Sequence, residues 1–116
     1  MTSLVRVKIC CISTVEEAHH AVTYGAAALG FVSHMPSGPG AISDERIAEI
    51  VKTVPPAIDT FLLTSRQDAD AFAAQHATCK TSTVQLVDAL EPQELVKLRR
   101  LLPPAKLVQE IGRAHV

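Results

Sequence analysis

Short runs of β-branched and other apolar residues alternate along this chain with longer segments whose apolar residues recur at helical spacing. Each run predicts a strand, because a few apolar residues between turn signals are typical of strands buried on both faces. Pro and Gly are concentrated between the elements, most densely in the loop SHMPSGPGA at residues 33–41. The predicted strands cover residues 5–9, 27–32, 58–63, 83–87 and 106–109.

Capping residues and prolines mark the helices between these strands. Ser13 and Glu16 have the spacing of a capping box, in which a serine caps the helix and a glutamate reaches back to it. Gly25 is expected to end that first helix, since glycine is favoured just past a helix C-terminus. The predicted helix starts are Ser13, Ser43, Ser65 and Pro92.

The resulting order is β-α-β-α-β-α-β-α-β, with one unit about every 25 residues. Strands joined by helices lie parallel in one sheet, with right-handed connections. Two architectures share this order. A doubly wound open sheet could be complete with five strands, whereas an eight-stranded β/α barrel needs about 200 residues or more.

Composition narrows the class of protein without naming a function. The 116 residues are 47% hydrophobic and 20% charged, with a net charge of -1, as expected for one globular domain. No basic patch suggests a nucleic-acid or anionic-membrane partner, and no apolar run approaches the roughly 20 residues of a membrane span. Three cysteines without a disulfide framework and no signal segment favour the cytoplasm.

Five stretches in a fixed order carry a resemblance to a known family. They read VRVKICCIS, YGAAALGFV, MPSGPGAIS, IVKTVPP and STVQLV. Together they resemble the phosphoribosylanthranilate isomerases of tryptophan biosynthesis. The resemblance implies an α/β fold, a parallel β/α (TIM) barrel, of which residues 4–109 would supply about the first four βα units and the start of strand five.

The resemblance also implies a reaction and a catalytic base. The expected reaction is an Amadori rearrangement of a small phosphorylated aminoaldose, N-(5-phosphoribosyl)anthranilate, without metal or cofactor. It needs one general acid and one general base. Cys10, at the end of the first strand, inherits the role of base, and the aspartate that acts as acid would lie on the sixth strand, beyond residue 116.

Three further positions are expected to contact the substrate. Lys8 lies two residues before Cys10 and shares its face of the strand, so its ammonium could favour the thiolate. Gln85 is expected to point into the barrel, together with Val87. Gly40 stands where the family usually carries an arginine, and Val87-Asp88 replace its usual histidine and glycine. These departures leave open a non-catalytic relative or one with a different ligand.

Other readings of the same residues remain open at this stage. Cys10 could be a buried structural cysteine, since free cysteines are usually buried. Cys11, where the family has glycine, is expected to be a small packing residue, and Cys79, in the polar segment HATCKTS, is expected to be incidental. The adjacent His19 and His20 are expected to be solvated, like His34. A complete flavodoxin-like regulator is a third alternative. It is less favoured, because such a regulator needs an acidic cluster that this sequence lacks.

The C-terminal residues 110–116 interrupt the fifth predicted strand. Their last six, IGRAHV, match the translation of ATC GGA AGA GCA CAC GTC, a widely used sequencing adapter. We therefore expect residues 110–116 to be a non-native tail on an incomplete gene, which the coding DNA would test. A half-barrel would expose strand edges and an apolar face, so we also expect it to self-associate and to be inactive alone.

Overall fold

The computed structural model describes residues 5–33, 41–102 and 104–109. Strands and helices alternate through these residues, with one additional two-residue strand, β3. The elements are β1 (Lys8–Ile9), α1 (Val15–Thr23), β2 (Ala28–Ser33), β3 (Ala41–Ile42), α2 (Asp44–Val51), β4 (Asp59–Thr64), α3 (Ala69–Cys79), β5 (Thr83–Leu86), α4 (Pro92–Leu101) and β6 (Lys106–Gln109).

The strands form one parallel sheet in the order β1-β2-β4-β5-β6, with β3 paired to the end of β2. Apart from β3, each strand lies beside the strand before it in the chain. A doubly wound sheet would instead reverse its strand order part-way. Within the described residues the sheet therefore follows barrel topology, and the doubly wound alternative is wrong.

In the described part of the chain, the helices pack against one face of this sheet, which we call the outer face. Leu29 and Phe31 of β2 and Leu62 of β4 pack there against Ile47 and Ile50 of α2. A second cluster on the same face joins β5 and β6 to α3 and α4. Burying each large apolar side chain contributes about 1.5–3 kcal/mol, so this face supplies most of the hydrophobic stabilisation.

The opposite, inner face carries the side chains that alternate with the outer set. It holds Val32, Leu63 and Val87, packed against Phe61, and no helix residue belongs to that cluster. A sheet with helices outside and strand side chains inside is the cross-section of a β/α barrel.

The β1 end of the sheet is less covered than its centre. Val7 and Ile9 are 46% and 41% exposed, whereas Leu29 and Phe31 on the neighbouring strand are fully buried. A cavity of about 470 Å³ lies beside β1 and α1, lined by side chains that include Val7, Ile9 and Tyr24. The prediction of self-association stays a prediction.

Two predicted helix starts are wrong by one to three residues. Thr14, not Ser13, caps α1 and accepts a hydrogen bond from the Glu17 amide, while Glu17 accepts from the Ser13 amide at 2.7 Å. The α3 helix begins after Asp68, which caps it, rather than at Ser65. In both regions several consecutive residues can cap, and the docking of the helix on the sheet selects one of them.

The other predicted boundaries lie close to those observed. Ser43 caps α2, Pro92 begins α4, and Gly25 follows α1 with a φ of 96°, a conformation that favours glycine. The first strand is shorter than predicted: its ladder covers Lys8–Ile9 rather than residues 5–9. The predicted tail, residues 110–116, lies outside the described residues.

Candidate active site

Cys10 directly follows β1, so its side chain lies at the carboxyl end of a parallel strand. Its sulfur lies against Gly30 of β2, in a row that continues to Phe61 of β4. Cys10 is exposed, so it is not the buried structural cysteine considered as an alternative. Catalytic groups of β/α barrels occupy this end of the strands.

Gly30 makes room for the Cys10 thiol. A Cβ atom at residue 30 would lie 2.9 Å from Cys10 Sγ and 3.3 Å from Cys10 Cα, closer than packed atoms normally approach. Leu63 Cδ1 would lie at 3.3 Å on the other side. The absence of a side chain at Gly30 therefore allows the thiol to lie on the inner face.

Lys8 extends across the inner face toward β4 and β5. Its ammonium donates a hydrogen bond to Gln85 Oε1, and lies 4.4 Å from the centre of the Phe61 ring. Among the described residues no hydrogen bond joins Lys8 Nζ to Cys10 Sγ. The Lys8 ammonium thus contacts residues of β4 and β5. The predicted effect of Lys8 on the Cys10 thiolate stays a prediction.

The inner face is apolar near the carboxyl ends of β2, β4 and β5. Val87 is 8% exposed and packs with Val32 and Leu63. The prediction that Gln85 and Val87 point to the same side agrees with this packing. A ligand that approaches Cys10 from the open end would therefore meet aliphatic side chains at the carboxyl end of β5.

Cys11 does not pack as predicted. It is exposed, and its backbone has a φ of 60°, in the left-handed region that β-carbon-bearing residues rarely adopt. The turn from β1 toward α1 thus requires a conformation that glycine would adopt without strain. The structure gives a physical reason for a glycine at this position.

Cys79 is not an incidental residue of a polar segment. It ends α3, is 1% exposed, and belongs to the outer-face core with Phe31 and Leu62. Burial, with smaller contributions from the charges of Asp44 and Glu45, raises the pKa of its thiol to about 12. This thiol is protonated at neutral pH and lies on the helix side of the sheet.

Two of the predicted positions, Gly40 and His34, lie outside the described residues. His19 and His20 are exposed on α1, and the described part of the chain contains no group of three or more His, Cys, Asp or Glu side chains placed to hold a metal ion. Nor does it contain a helix long and apolar enough to cross a membrane.

Comparisons with known proteins agree on one kind of relative. The chain is 39% identical over 111 residues to the N-(5'-phosphoribosyl)anthranilate isomerase of Geobacter sulfurreducens, covering 94% of this chain and 53% of that protein. It is 35% identical over 108 residues to the isomerase of Geobacter metallireducens, covering 93% and 53%. No protein-family model matches.

A solved structure shares the fold. A phosphoribosyl anthranilate isomerase in complex with reduced 1-(o-carboxyphenylamino)-1-deoxyribulose 5-phosphate superposes with a TM-score of 0.82 at 28% identity, covering 97% of this chain and 56% of that one. The chain is similar to phosphoribosylanthranilate isomerases in sequence and in fold. It spans about half the length of the curated relatives it matches.

Two residues of the site were not singled out from the sequence. Phe61 holds Lys8, and Gly30 makes room for Cys10. Alternation along FLLT would have placed Phe61 and Leu63 on one face of the strand. Nothing in the sequence, however, says that the Lys8 ammonium lies over that ring, because the contact depends on how the strands are staggered.

Proposed function

We propose that this chain is part of a phosphoribosylanthranilate isomerase, in which it supplies the first half of the barrel and Cys10 is the general base. The observation that carries the proposal is the Cys10 sulfur on the inner face, at the carboxyl end of β1, in a chain similar to these isomerases. The substrate would be N-(5'-phosphoribosyl)anthranilate, and the product its 1-deoxyribulose isomer.

The proposed chemistry moves protons and needs no redox partner. Once an acid has opened the sugar ring, C1 of the substrate is a protonated imine. The Cys10 thiolate removes the proton from C2, the C–H electron pair forms the C1–C2 double bond, and the imine π electrons move to nitrogen. The resulting enol loses its O–H proton while C1 gains one, which leaves a ketone at C2 and an amine at C1.

The reaction requires a deprotonated base and a protonated acid. A thiolate is the form of cysteine that can accept a proton, and a positioned base contributes about a hundredfold or more to such a rate. The resemblance assigns the acid to an aspartate on the sixth barrel strand, a strand that the described residues do not include. Lys8 and Gln85 would contact the ligand from the inner face. The resemblance also assigns Gly40 to substrate binding, and the protein would act in the cytoplasm.

A second candidate function is a barrel relative that takes a different ligand. The observation that favours it is the aliphatic wall at Val87, which packs with Val32 and Leu63 instead of presenting a polar group. Such a protein would bind a phosphorylated aminoaldose whose nitrogen carries an apolar substituent. It would discriminate against a substituent that bears a carboxylate.

A chimeric barrel tests the proposed function. Residues 1–109 of this chain are joined to the part of the Geobacter sulfurreducens isomerase that the chain does not match, and the product is expressed in a bacterium lacking this isomerase. We expect growth without tryptophan and turnover by the purified chimera. A folded chimera that neither rescues growth nor turns over would contradict the proposal. If it bound an N-phosphoribosyl aniline more tightly than the anthranilate, the second candidate would be supported.

A further inference from the structure

Among the described residues, no carboxylate forms an ion pair with the Lys8 ammonium on the inner face. Its observed contacts are the carbonyl oxygen of Gln85 and the ring of Phe61, both of which are neutral. Two other lysines of the described chain do form ion pairs. Lys97 lies 2.7 Å from Asp70, and Lys106 lies 3.7 Å from Asp59, whereas no carboxylate of the described residues lies within 4.0 Å of Lys8 Nζ.

This difference matters because Lys8 is half-buried while the other two side chains are more exposed. A cation that is partly removed from water is normally compensated by an anion or by several hydrogen bonds. An ammonium carries three N–H donors, and Gln85 accepts from one of them. The inner face, which also carries Cys10, thus keeps a positive charge with unused donor capacity.

The two neutral partners restrict where this charge can lie. The Phe61 ring attracts the ammonium through its electron-rich face, and Gln85 fixes it from the next strand. Lysine side chains otherwise have several freely rotating bonds. Phe61 lies beside Gly30 in the register of β2 with β4, and Cys10 packs against Gly30, so the ring, the glycine and the thiol belong to one small region.

We propose that Lys8 is a preset binding site for an oxyanion of the ligand, and that Phe61 is the residue that positions its ammonium. The ligand class is an organic phosphate or carboxylate that enters the inner face from the carboxyl end of the strands. The catalytic use of this site rests on the proposed function, but anion binding itself does not require turnover.

Titration of the 116-residue chain with two anions shows whether Lys8 binds a phosphate or a carboxylate. Ribose 5-phosphate carries the phosphate and anthranilate carries the carboxylate, and each is added to 13C-labelled protein while the lysine ε-methylene resonances are followed. Lys8→Met assigns the Lys8 signal. We expect at least one anion to shift Lys8 with saturation, while Lys97, which is paired with Asp70, serves as the internal control.

Variants of the ring test the positioning role. Phe61→Leu removes the cation–π contact and keeps an apolar side chain, so affinity for the anion should fall about two- to fivefold. Phe61→Tyr keeps an aromatic face and should retain the affinity. In the wild type the Lys8 ε-protons should be shifted upfield by the ring relative to those of Lys97, and Phe61→Leu should abolish that shift.

Several results would overturn the proposal. If neither anion shifts the Lys8 resonance more than the Lys97 resonance, Lys8 is not an anion-binding site. If a folded Phe61→Leu variant binds the anion with unchanged affinity, Phe61 does not position Lys8. Should that variant fail to fold, the absence of an upfield shift at Lys8 in the wild type would decide against Phe61. A failed titration beside an active chimera would discard only this inference. A saturable Lys8 site beside an inactive chimera would discard only the isomerase.

Discussion

The two faces of the sheet differ in whether helices cover them and in which side chains they expose. Away from β1, the outer face is closed by helices, and its large side chains, such as Phe31, Leu62 and Phe72, are fully buried. The inner face mixes an apolar wall with an exposed thiol and an ammonium. The same alternation of side chains along each strand thus separates the residues that stabilise the fold from those that can meet a ligand.

The cysteines illustrate this separation. Cys79, on the outer face, is buried and its pKa is raised to about 12, so it is a packing residue at neutral pH. Cys10, at the end of β1, is exposed and lies against Gly30 on the inner face. The two residues are chemically identical. Their position relative to the sheet decides which thiol is buried in the core and which can contact a ligand.

The largest difference between the faces should appear in stability. Phe31→Ala removes a fully buried ring from the outer core, and should lower the free energy of unfolding by about 3–5 kcal/mol. Phe61→Ala, on the half-covered inner face, should lower it by about 1–2 kcal/mol. Urea unfolding of both variants measures the contrast, and equal losses would show that the inner face is as closely packed as the outer.

Gly30→Ala should disturb the thiol directly. The new Cβ would meet Cys10 Sγ at 2.9 Å, so we expect a loss of about 1–3 kcal/mol in stability and a changed rate of alkylation at Cys10. Gly25→Ala is the matched control. It strains a backbone with a φ of 96° but meets no atom within 4 Å, so it should destabilise the chain without altering Cys10. An unaltered thiol in Gly30→Ala would argue against the described contact.

Alkaline pH should weaken the outer face through Cys79. Its folded pKa, about 12, lies above its ordinary value of 9.0, so the neutral thiol's stabilisation is fully present below pH 9 and is lost as pH rises toward 12. The slope between pH 10 and 11 should approach about 1.4 kcal/mol per pH unit. Urea titrations of the wild type and Cys79→Ala measure it, and identical slopes for the two proteins would refute the burial of this thiol.

Cys11→Gly should give the smallest effect and the opposite sign. Glycine relieves the strain of the left-handed backbone at a φ of 60°, but it also raises the entropy of the unfolded chain, which offsets part of this effect. We therefore expect the free energy of unfolding to rise by up to about 1 kcal/mol. Lys80, with a φ of 59° at the end of α3, provides the control, and Lys80→Gly should gain a similar amount. A loss of stability at residue 11 alone would show that the Cys11 side chain contributes more than its backbone costs.

The sequence predicted the order of elements well because hydrophobic periodicity is a local property. It did not predict the exact cap of α1, since Ser13 and Thr14 can both cap and Glu16 and Glu17 can both respond. Only the docking of the helix selects Thr14 and Glu17.

The contacts of the site were harder to predict, because they depend on where neighbouring strands are placed. Alternation correctly put Lys8 on the face of Cys10, but the stagger of β4 and β5 directs its ammonium to Phe61 and Gln85. Cys79 was misjudged from the polarity of its neighbours. Its helical spacing of seven residues from the buried Phe72 was the better guide.

The turnover number of the chimeric barrel, measured for the parent, Cys10→Ser and Cys11→Gly, tests the central claim most directly. We predict that Cys10→Ser lowers kcat by at least about a hundredfold, because a hydroxyl is too weakly acidic to supply the base near neutral pH. Cys11→Gly should change kcat little, since its role lies in the backbone turn. Turnover that survives Cys10→Ser, or that is abolished by Cys11→Gly instead, would contradict the assignment of Cys10 as the base.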